Sequence, residues 1–194
     1  MSDTGKILVI SGPSAVGKNT IFKGLMEKRP TLWYSVSYTT RKRRKGEVEG
    51  KDYFFIDKSQ FWKILAQGLF LEWEEVHGNL YGTPRKQLDE AVARGEEIAL
   101  ILDIKGALEL KELGYPVTTV FLVPPSEKEW IRRLNARQTE NNQSLQARID
   151  DGKKWLESAK NYDKIIIADG VENPVKELEE ILDKGLNGHS SELK

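Results

Sequence analysis

Four short runs of apolar residues occur along the chain, and each is bounded by polar or turn-forming residues. They cover residues 6–11, 98–102, 117–123 and 164–167. Runs that are apolar at nearly every position are typical of strands buried on both faces, as in parallel sheets. Segments with helical spacing separate the runs, so the pattern predicts an α/β fold with a parallel-sheet core and helices on both faces.

The segments between these runs carry apolar residues at the three- and four-residue spacing of amphipathic helices. In residues 18–27 the apolar side chains share one face, and Pro30 ends the predicted helix. Ser59 and Ser126 are predicted N-caps, because a serine hydroxyl can accept from the N–H groups of the first turn. The remaining helices are predicted over residues 60–67, 84–94, 106–113, 126–134, 144–160 and 174–186.

Residues 35–60 follow neither pattern. Their apolar positions alternate irregularly, and Gly46 and Gly50 follow charged residues as turn signals. Residues 53–56 and 69–73 are predicted strands, so this part of the chain is predicted to form a small β-rich lobe. Residues 136–143 are predicted to be a loop.

Composition narrows the kinds of chemistry available to the 194 residues. The chain has no cysteine, which excludes thiol catalysis, thiolate metal sites and disulfides. His77 and His189 are too far apart to suggest a histidine metal site. Because the start is short and polar and no apolar run approaches about 18 residues, the expected location is the cytoplasm.

The net charge of the chain is uninformative, but two local clusters of basic residues stand out. Lys plus Arg equals Asp plus Glu at 30 each, so net charge does not suggest a nucleic-acid partner. Five cations nevertheless follow one another at residues 41–45, and a second basic group comprises Arg132, Arg133, Arg137 and Arg148. Either group is a solvated face or an anion-binding site.

Residues 12–18 have the glycines and the lysine of a phosphate-binding loop, between a predicted strand and a predicted helix. In such a loop, backbone N–H groups and the helix N-terminus surround phosphate oxygens, and the lysine reaches the outer phosphates. The alternative is an ordinary glycine-containing turn. The residues predicted to bind ATP are Gly12, Pro13, Ser14, Ala15, Val16, Gly17, Lys18, Asn19 and Thr20.

Asn19 stands where a hydroxyl ligand for Mg²⁺ is usual in this motif. An amide oxygen can bind a hard cation, so Asn19 is the predicted metal-ligating residue, acting together with the ATP phosphates. The predicted cofactors are therefore ATP and Mg²⁺.

Residues 35–53 read SVSYTTRKRRKGEVEGKDY, which resembles the GMP-binding lobe of guanylate kinases. The similarity continues through residues 70–73 and 78–83 and, with the phosphate loop and the arginine-rich region, covers nearly the whole chain. It implies transfer of the γ-phosphoryl group of ATP-Mg²⁺ to GMP by a single domain, 1–194. Within that domain it implies a core at 1–34, 84–130 and 161–188, a GMP-binding lobe at about 35–83 and a lid at about 131–160.

The same resemblance assigns roles to individual residues. The implied contacts to the GMP phosphate are Arg41, Arg44, Tyr53 and Tyr81, and those to guanine are Ser37, Glu72, Thr83 and Asp103. The implied catalytic residues are Lys18 and Arg41, with Arg133, Arg137 and Arg148 from the lid.

Base chemistry agrees with this assignment, because a carboxylate can accept from the N1–H and N2–H groups of guanine, whereas adenine would leave it unpaired. Two alternatives are that Glu72 is an ordinary exposed strand residue and that Asp103 caps the helix after it.

The chain departs from the family pattern at a few positions. Ile101 replaces an acidic residue, Ala168 replaces an asparagine, and Ala136 and Gln138 replace glycines of the lid. Asn19 and Ile101 leave a rival from another class, a guanylate-kinase-like module that binds phosphopeptides without catalysis. Kinases for other nucleotides are a second rival. The expected partners are GMP, dGMP and ATP, without nucleic acid or membrane, in a monomer or a homodimer.

Overall fold

The computed structural model describes residues 6–76, 78–102, 104–136 and 145–184. These residues divide into two compact units. The core unit comprises Lys6–Leu32 and the described residues from Ala99 onward, and the insert unit comprises Trp33–Ile98.

Strands and helices alternate through most of the chain. In order, they are β1 (Lys6–Ser11), α1 (Lys18–Lys28), β2 (Trp33–Tyr34), β3 (Tyr38–Thr39), β4 (Phe54–Phe55), α2 (Lys58–Ala66), β5 (Phe70–Val76), β6 (Asn79–Pro84), α3 (Arg85–Ala93), β7 (Glu97–Ile101), α4 (Ile104–Glu112), β8 (Val117–Val123), α5 (Glu127–Ala136), α6 (Leu145–Glu157), a 3₁₀ helix (Ser158–Asn161), β9 (Lys164–Ile167) and α7 (Glu172–Asp183).

The sheet of the core unit has its strands in the order β7-β1-β8-β9. Strand β8 pairs in parallel with β1 and with β9, starting from the partners Ile7 and Val117 on the β1 side. The aliphatic side chains at positions 7–10 are all fully buried, as expected for a strand that is covered on both faces. The predicted fold class, a parallel-sheet core covered by helices, is confirmed.

Helices α1 and α7 pack closely beside this sheet. Leu25 of α1 and Leu178 of α7 belong to one buried cluster with Leu8 and Leu122 of the strands. Gly24 permits the close approach, because a Cβ at that position would lie 2.9 Å from the side chain of Val171. The first helix and α7 are therefore part of the same core.

The insert unit has its own sheet and its own small core. Its strands lie in the order β4-β3-β6-β5, in which β3 pairs in parallel with β4 and antiparallel with β6. Phe61, Phe70 and Leu80 form the buried cluster between this sheet and α2. The rings of Phe61 and Phe70 lie 4.5 Å apart, so aromatic packing fixes α2 on the sheet.

Strand β6 was not predicted from the sequence. Gly78, Gly82 and Pro84 are turn signals in sequence, yet β6 pairs on both sides, with β3 and with β5. Gly82 has a packing role, because a Cβ there would lie 2.9 Å from the ring of Phe70. Pairing across the sheet therefore outweighs the weak intrinsic strand preference of glycine.

Of the two predicted N-caps, one is confirmed by the structure and the other is wrong. The Ser126 hydroxyl accepts from the Glu129 N–H at 3.2 Å, which confirms the predicted cap of α5. The predicted cap Ser59 is wrong, because α2 begins at Lys58 and its N-cap is Asp57. The Asp57 carboxylate accepts from the Gln60 N–H at 2.8 Å, and the Gln60 side chain accepts from the Asp57 N–H at 3.0 Å.

Two further comparisons with the sequence concern the second half of the chain. The predicted helix at 144–160 is divided into α6 and the 3₁₀ helix. The predicted loop at 136–143 lies, apart from Ala136, outside the described residues, as do both histidines.

In the described ranges no helix combines the length and the low polarity that a membrane span requires.

The capping contacts of α2 give a first testable expectation. Asp57→Ala should lower the free energy of unfolding by about 1 kcal/mol, because it leaves first-turn N–H groups without their acceptor. Ser59→Ala is the matched control and should change the free energy of unfolding by less than about 0.5 kcal/mol. Urea denaturation of the three proteins measures both effects, and a larger loss for Ser59→Ala would restore Ser59 as the cap.

Candidate active site

The loop between β1 and α1 turns back on itself through three residues with positive φ. These are Gly12 (φ 146°), Ala15 (φ 63°) and Gly17 (φ 112°). Gly12 also has no room for a side chain, because a Cβ there would lie 2.6 Å from the Leu122 carbonyl oxygen of β8. The predicted phosphate loop thus has the tight conformation that brings successive N–H groups to one side.

The ammonium group of Lys18 lies over this loop. Its Nζ donates to the carbonyl oxygens of Gly12, at 2.6 Å, and Pro13, at 3.1 Å. These contacts hold a positive charge at the loop, where phosphate-binding chemistry requires one.

Helix α5 contacts the outside of the loop with two side chains. The Trp130 Nε1–H donates to the Ser14 carbonyl oxygen at 2.8 Å. The Arg133 Nη1 donates to the carbonyl oxygens of Val16, at 3.0 Å, and Ala168, at 3.1 Å. Position 168 therefore contributes its carbonyl to this contact, which an alanine provides as well as an asparagine does.

Arg133 is fixed at its other edge by an ion pair within α5. Its Nε lies 2.8 Å from Glu129, and the Nε of Arg132 lies 2.7 Å from the same carboxylate. The hydrogen bonds from Arg132 and Arg133 lower the pKa of Glu129 to about 2. The carboxylate is therefore ionised at any pH near neutrality, and both guanidinium groups stay oriented.

A pocket of about 550 Å³ opens beside the loop within the core unit. This volume is in the range of small-molecule sites. Its lining comprises Ala15, Val16, Gly17, Lys18, Asn19, Thr20, Ile21, Arg132, Arg133, Ala136, Gly170 and Val171.

The donor atoms near the loop suit a cation held mainly by nucleotide phosphates. Asn19 and Thr20 lie in the first turn of α1, are exposed, and line the pocket with an amide and a hydroxyl oxygen. Ile101 ends β7 and supplies no carboxylate. Among the residues described, no three His, Cys, Asp or Glu side chains group together as a metal site. The donor set fits Mg²⁺, which commonly keeps few protein ligands.

In the insert unit, Arg41 and Glu47 form a bidentate ion pair. The two Nη atoms of Arg41 donate to the Glu47 carboxylate at 2.7 and 3.1 Å, and the Arg44 backbone N–H donates to the same group at 2.7 Å. The two side chains are only 11% and 16% exposed. Burial raises the pKa of Glu47, but the hydrogen bonds from Arg41 and Arg44 outweigh it, so the pKa lies below its ordinary value.

Two tyrosines and a phenylalanine surround the Arg41 guanidinium. Its Cζ lies 5.4 Å from the ring centroid of Tyr53 and 5.7 Å from that of Phe55, while the rings of Tyr53 and Tyr81 are 5.9 Å apart. Burial raises the pKa of the Tyr53 hydroxyl, as does the neighbouring Tyr81. Three of the four predicted phosphate contacts, Arg41, Tyr53 and Tyr81, therefore lie together, and the Tyr53 hydroxyl is protonated at neutral pH.

The predicted guanine contacts are only partly described. Glu72 of β5 lies opposite Thr83 of β6, and the Thr83 hydroxyl donates to the Glu72 carboxylate in a short hydrogen bond. Both side chains are buried, which contradicts the alternative of an ordinary exposed strand residue. Ser37 lies just before β3, and its carbonyl accepts from the Phe54 N–H at 2.9 Å.

Three predicted site residues cannot be placed in the same way. Asp103 and Arg137 lie outside the described residues. Arg148 lies in α6, but only its backbone is described. Their roles, and that of the half-buried Arg44, stay predictions.

Sequence reasoning missed Glu47, although it lies two residues after the basic run at 41–45 and is the acceptor that fixes Arg41. The available signal was an acidic residue six positions after Arg41, close behind the run of cations. Trp130 was also missed, because its contact with Ser14 joins residues 116 positions apart and no local pattern indicates it.

The chain matches known proteins over nearly its whole length. A model of the family described as guanylate kinase matches residues 4–185. A guanylate kinase of Symbiobacterium thermophilum is 40% identical over 178 residues, which cover 92% of this chain and 84% of the relative. A guanylate kinase of Clostridium acetobutylicum is 43% identical over 183 residues, which cover 94% and 87%.

The fold is likewise similar to that of a solved structure. The crystal structure of guanylate kinase from Anaplasma phagocytophilum has a TM-score of 0.78 to this chain at 33% sequence identity. The alignment covers 95% of this chain and 87% of the other.

The buried pair of Glu72 and Thr83 generates an expectation about base choice. Glu72→Gln should lower the kcat/KM for GMP by about 100-fold and reduce the preference over AMP, because a carboxylate acceptor becomes an amide. Glu75→Gln makes the same change on an exposed position of the same strand and should have little effect. An unchanged ratio of kcat/KM for GMP and AMP in Glu72→Gln would exclude Glu72 from base recognition.

The bidentate geometry of Arg41 leads to a second expectation. Arg41→Lys should raise the KM for GMP about tenfold, because an ammonium cannot replace a planar two-pronged donor even though the charge is kept. Arg43→Lys, in the same basic run but exposed, should change this KM less than about twofold. Equal KM values for the two variants would identify the run as a solvated face.

Proposed function

The chain belongs to the guanylate kinase family, and we propose that it binds ATP-Mg²⁺ at the phosphate loop and GMP in the insert unit. It is an ATP:GMP phosphotransferase that gives ADP and GDP in a reversible reaction. Such a step belongs to purine nucleotide metabolism. We expect dGMP to be accepted as well, since it lacks only the ribose 2′-hydroxyl.

The observation that carries this proposal is the phosphate loop, because it separates an enzyme from a binding module. Its two positive-φ glycines and the Lys18 ammonium over the loop carbonyls are the features that a donor nucleotide requires. A module that only gripped a phosphopeptide through the insert unit would have no use for them. No observation favours that alternative.

Phosphoryl transfer of this kind needs no general base. The bond between the γ-phosphorus and the oxygen that bridges it to the β-phosphate breaks, and a phosphate oxygen of GMP forms the new bond to phosphorus. That attacking oxygen is already anionic near neutral pH, so no residue has to take up a proton from it. Catalysis then depends on alignment and on neutralising charge.

Each group of residues contributes to alignment in a different way. Lys18 and the loop N–H groups would hold the phosphates of ATP, and Asn19 would contribute to holding Mg²⁺, which supplies charge neutralisation when bound. Arg41 is pre-oriented by Glu47 to bind the GMP phosphate, together with Arg44, Tyr53 and Tyr81.

We infer that Arg133 supports the phosphate loop, because its Nη1 binds the carbonyl oxygens of Val16 in the loop and of Ala168, and its Nε binds Glu129. Arg137 and Arg148 remain the proposed lid arginines that close over the transferring group.

A substrate comparison tests the proposal. With ATP-Mg²⁺ as donor, GMP and dGMP should be phosphorylated, whereas AMP and CMP should react at least about 10⁴-fold more slowly in kcat/KM. Lys18→Met should nearly abolish turnover while GMP affinity, measured by calorimetry, stays within a few-fold. A wild-type protein that binds GMP but transfers no phosphate at any Mg²⁺ concentration would favour the binding module instead.

A further inference from the structure

Ala15 has a backbone conformation that alanine adopts only at a cost. Its φ of 63° makes it the one non-glycine residue with positive φ among those described. The left-handed region costs an L-residue about 1–2 kcal/mol, because the Cβ approaches the following carbonyl oxygen. Such a conformation persists only where the surroundings enforce it.

Trp130 of α5 stabilises this part of the loop in two ways. The side chain is fully buried, and it forms a cluster with Leu134 and Ile149 against which Ala15 packs. Its Nε1–H donates to the carbonyl oxygen of Ser14, the residue just before Ala15, at 2.8 Å. The indole therefore belongs to the cluster against which the strained residue packs, and it also binds the peptide group that leads into that residue.

The hydrogen bond to Ser14 fixes a backbone donor as well. The peptide bonds of the described residues are trans, so the N–H of Ala15 points opposite to the Ser14 carbonyl and away from the indole. Phosphate loops bind phosphate through N–H groups that are turned to the inside of the loop, while their carbonyls face outward. Trp130 thus holds one peptide of the loop in the orientation that anion binding needs.

Gly152 provides the space for Trp130 within α6. A Cβ at this position would lie 2.1 Å from the Cζ2 and Cη2 atoms of the Trp130 ring, closer than any real contact. Glycine in the middle of a helix costs about 1 kcal/mol relative to alanine, so its presence is explained by the ring it accommodates. Contact thus runs from α6 through Trp130 to the phosphate loop.

We propose that Trp130 is a positioning residue for phosphoryl transfer, which holds the Ser14–Ala15 peptide of the phosphate loop in its nucleotide-binding orientation from the side of α5 and α6. The proposal rests on ATP binding at this loop, and it adds a residue that never touches the nucleotide. Because Trp130 acts on the loop and not on the insert unit, its effect is specific to the donor nucleotide.

The test removes the indole N–H while keeping an aromatic ring. Trp130→Phe should raise the KM for ATP and the Kd for ADP about fivefold, as expected for one hydrogen bond, and leave the KM for GMP unchanged. Trp62→Phe, at an exposed position of the insert unit, is the matched control and should change none of these constants. Calorimetric titration with ADP needs no turnover, so it tests Trp130 even if the wild type proves inactive towards GMP.

A second arm tests whether Trp130 acts through the conformation of Ala15. Glycine adopts positive φ freely, so Ala15→Gly should make the loop less dependent on its support. The fivefold effect of Trp130→Phe on ADP affinity should shrink to less than about twofold in the Ala15→Gly background, a non-additivity that a merely structural role would not produce. Gly152→Ala should weaken ADP binding in the same way, because the new Cβ displaces the ring.

Three results would overturn the proposal. They are an unchanged Kd for ADP in folded Trp130→Phe, an equal loss of ADP and GMP affinity, and the same loss in both backgrounds at position 15. If Trp130→Phe does not fold, β-(3-benzothienyl)alanine at position 130 replaces the N–H with sulfur and keeps the shape. The same expected and contradicting outcomes then apply to that protein.

Discussion

Strand β1 buries four consecutive aliphatic side chains, at positions 7–10, and a strand that is apolar on both faces has to be covered by helices on both sides. That constraint determines where the chain can turn after Ser11. The turn leaves the sheet at the carboxyl end of β1, where α1 begins, and its N–H groups and the N-terminus of α1 meet there. Hydrophobic burial in the centre of the core unit therefore places the anion site at its edge.

The charged groups of the site are held before any ligand arrives. Arg41 is paired with Glu47 and enclosed by aromatic rings, and Lys18 is bound to the carbonyls of its own loop. An exposed arginine or lysine would lose side-chain entropy when it bound a phosphate, whereas these two have lost most of it on folding. The cost is carried by the folded protein, so each of these two side chains is ordered within its own unit before a ligand binds.

Much of the fold could be predicted from the sequence, because the apolar runs of β1, β8 and β9 identify those strands without knowledge of their partners. Strand β6 could not be predicted, since its one glycine, Gly82, is explained only by the Phe70 ring and by pairing on both sides. The cap of α2 was misplaced by two residues because serine and aspartate are equally good caps.

The candidate site likewise contains some residues that could be predicted from the sequence and others that could not. The resemblance to guanylate kinases was enough to select Arg41, Tyr53, Tyr81, Glu72 and Thr83, which the structure brings into two contacting groups. The residues that hold the site residues in place could not be predicted in this way, because tertiary contacts leave no periodic pattern in the sequence. Trp130 binds the carbonyl of Ser14, 116 positions away, and Gly152 leaves the space that the Trp130 ring occupies, whereas Glu47 binds Arg41 across a turn of the chain.

The shared core of α1 and α7 has a consequence for how the protein is made. Leu25 and Val175, 150 positions apart, belong to one cluster, and Gly24 of α1 lies directly against Val171 and Val175. A ribosome synthesises the phosphate loop long before it synthesises the helix that covers the back of α1. Until α7 emerges, the face of α1 that packs against it stays uncovered, so for most of translation the helix that begins at the phosphate loop lacks part of its core.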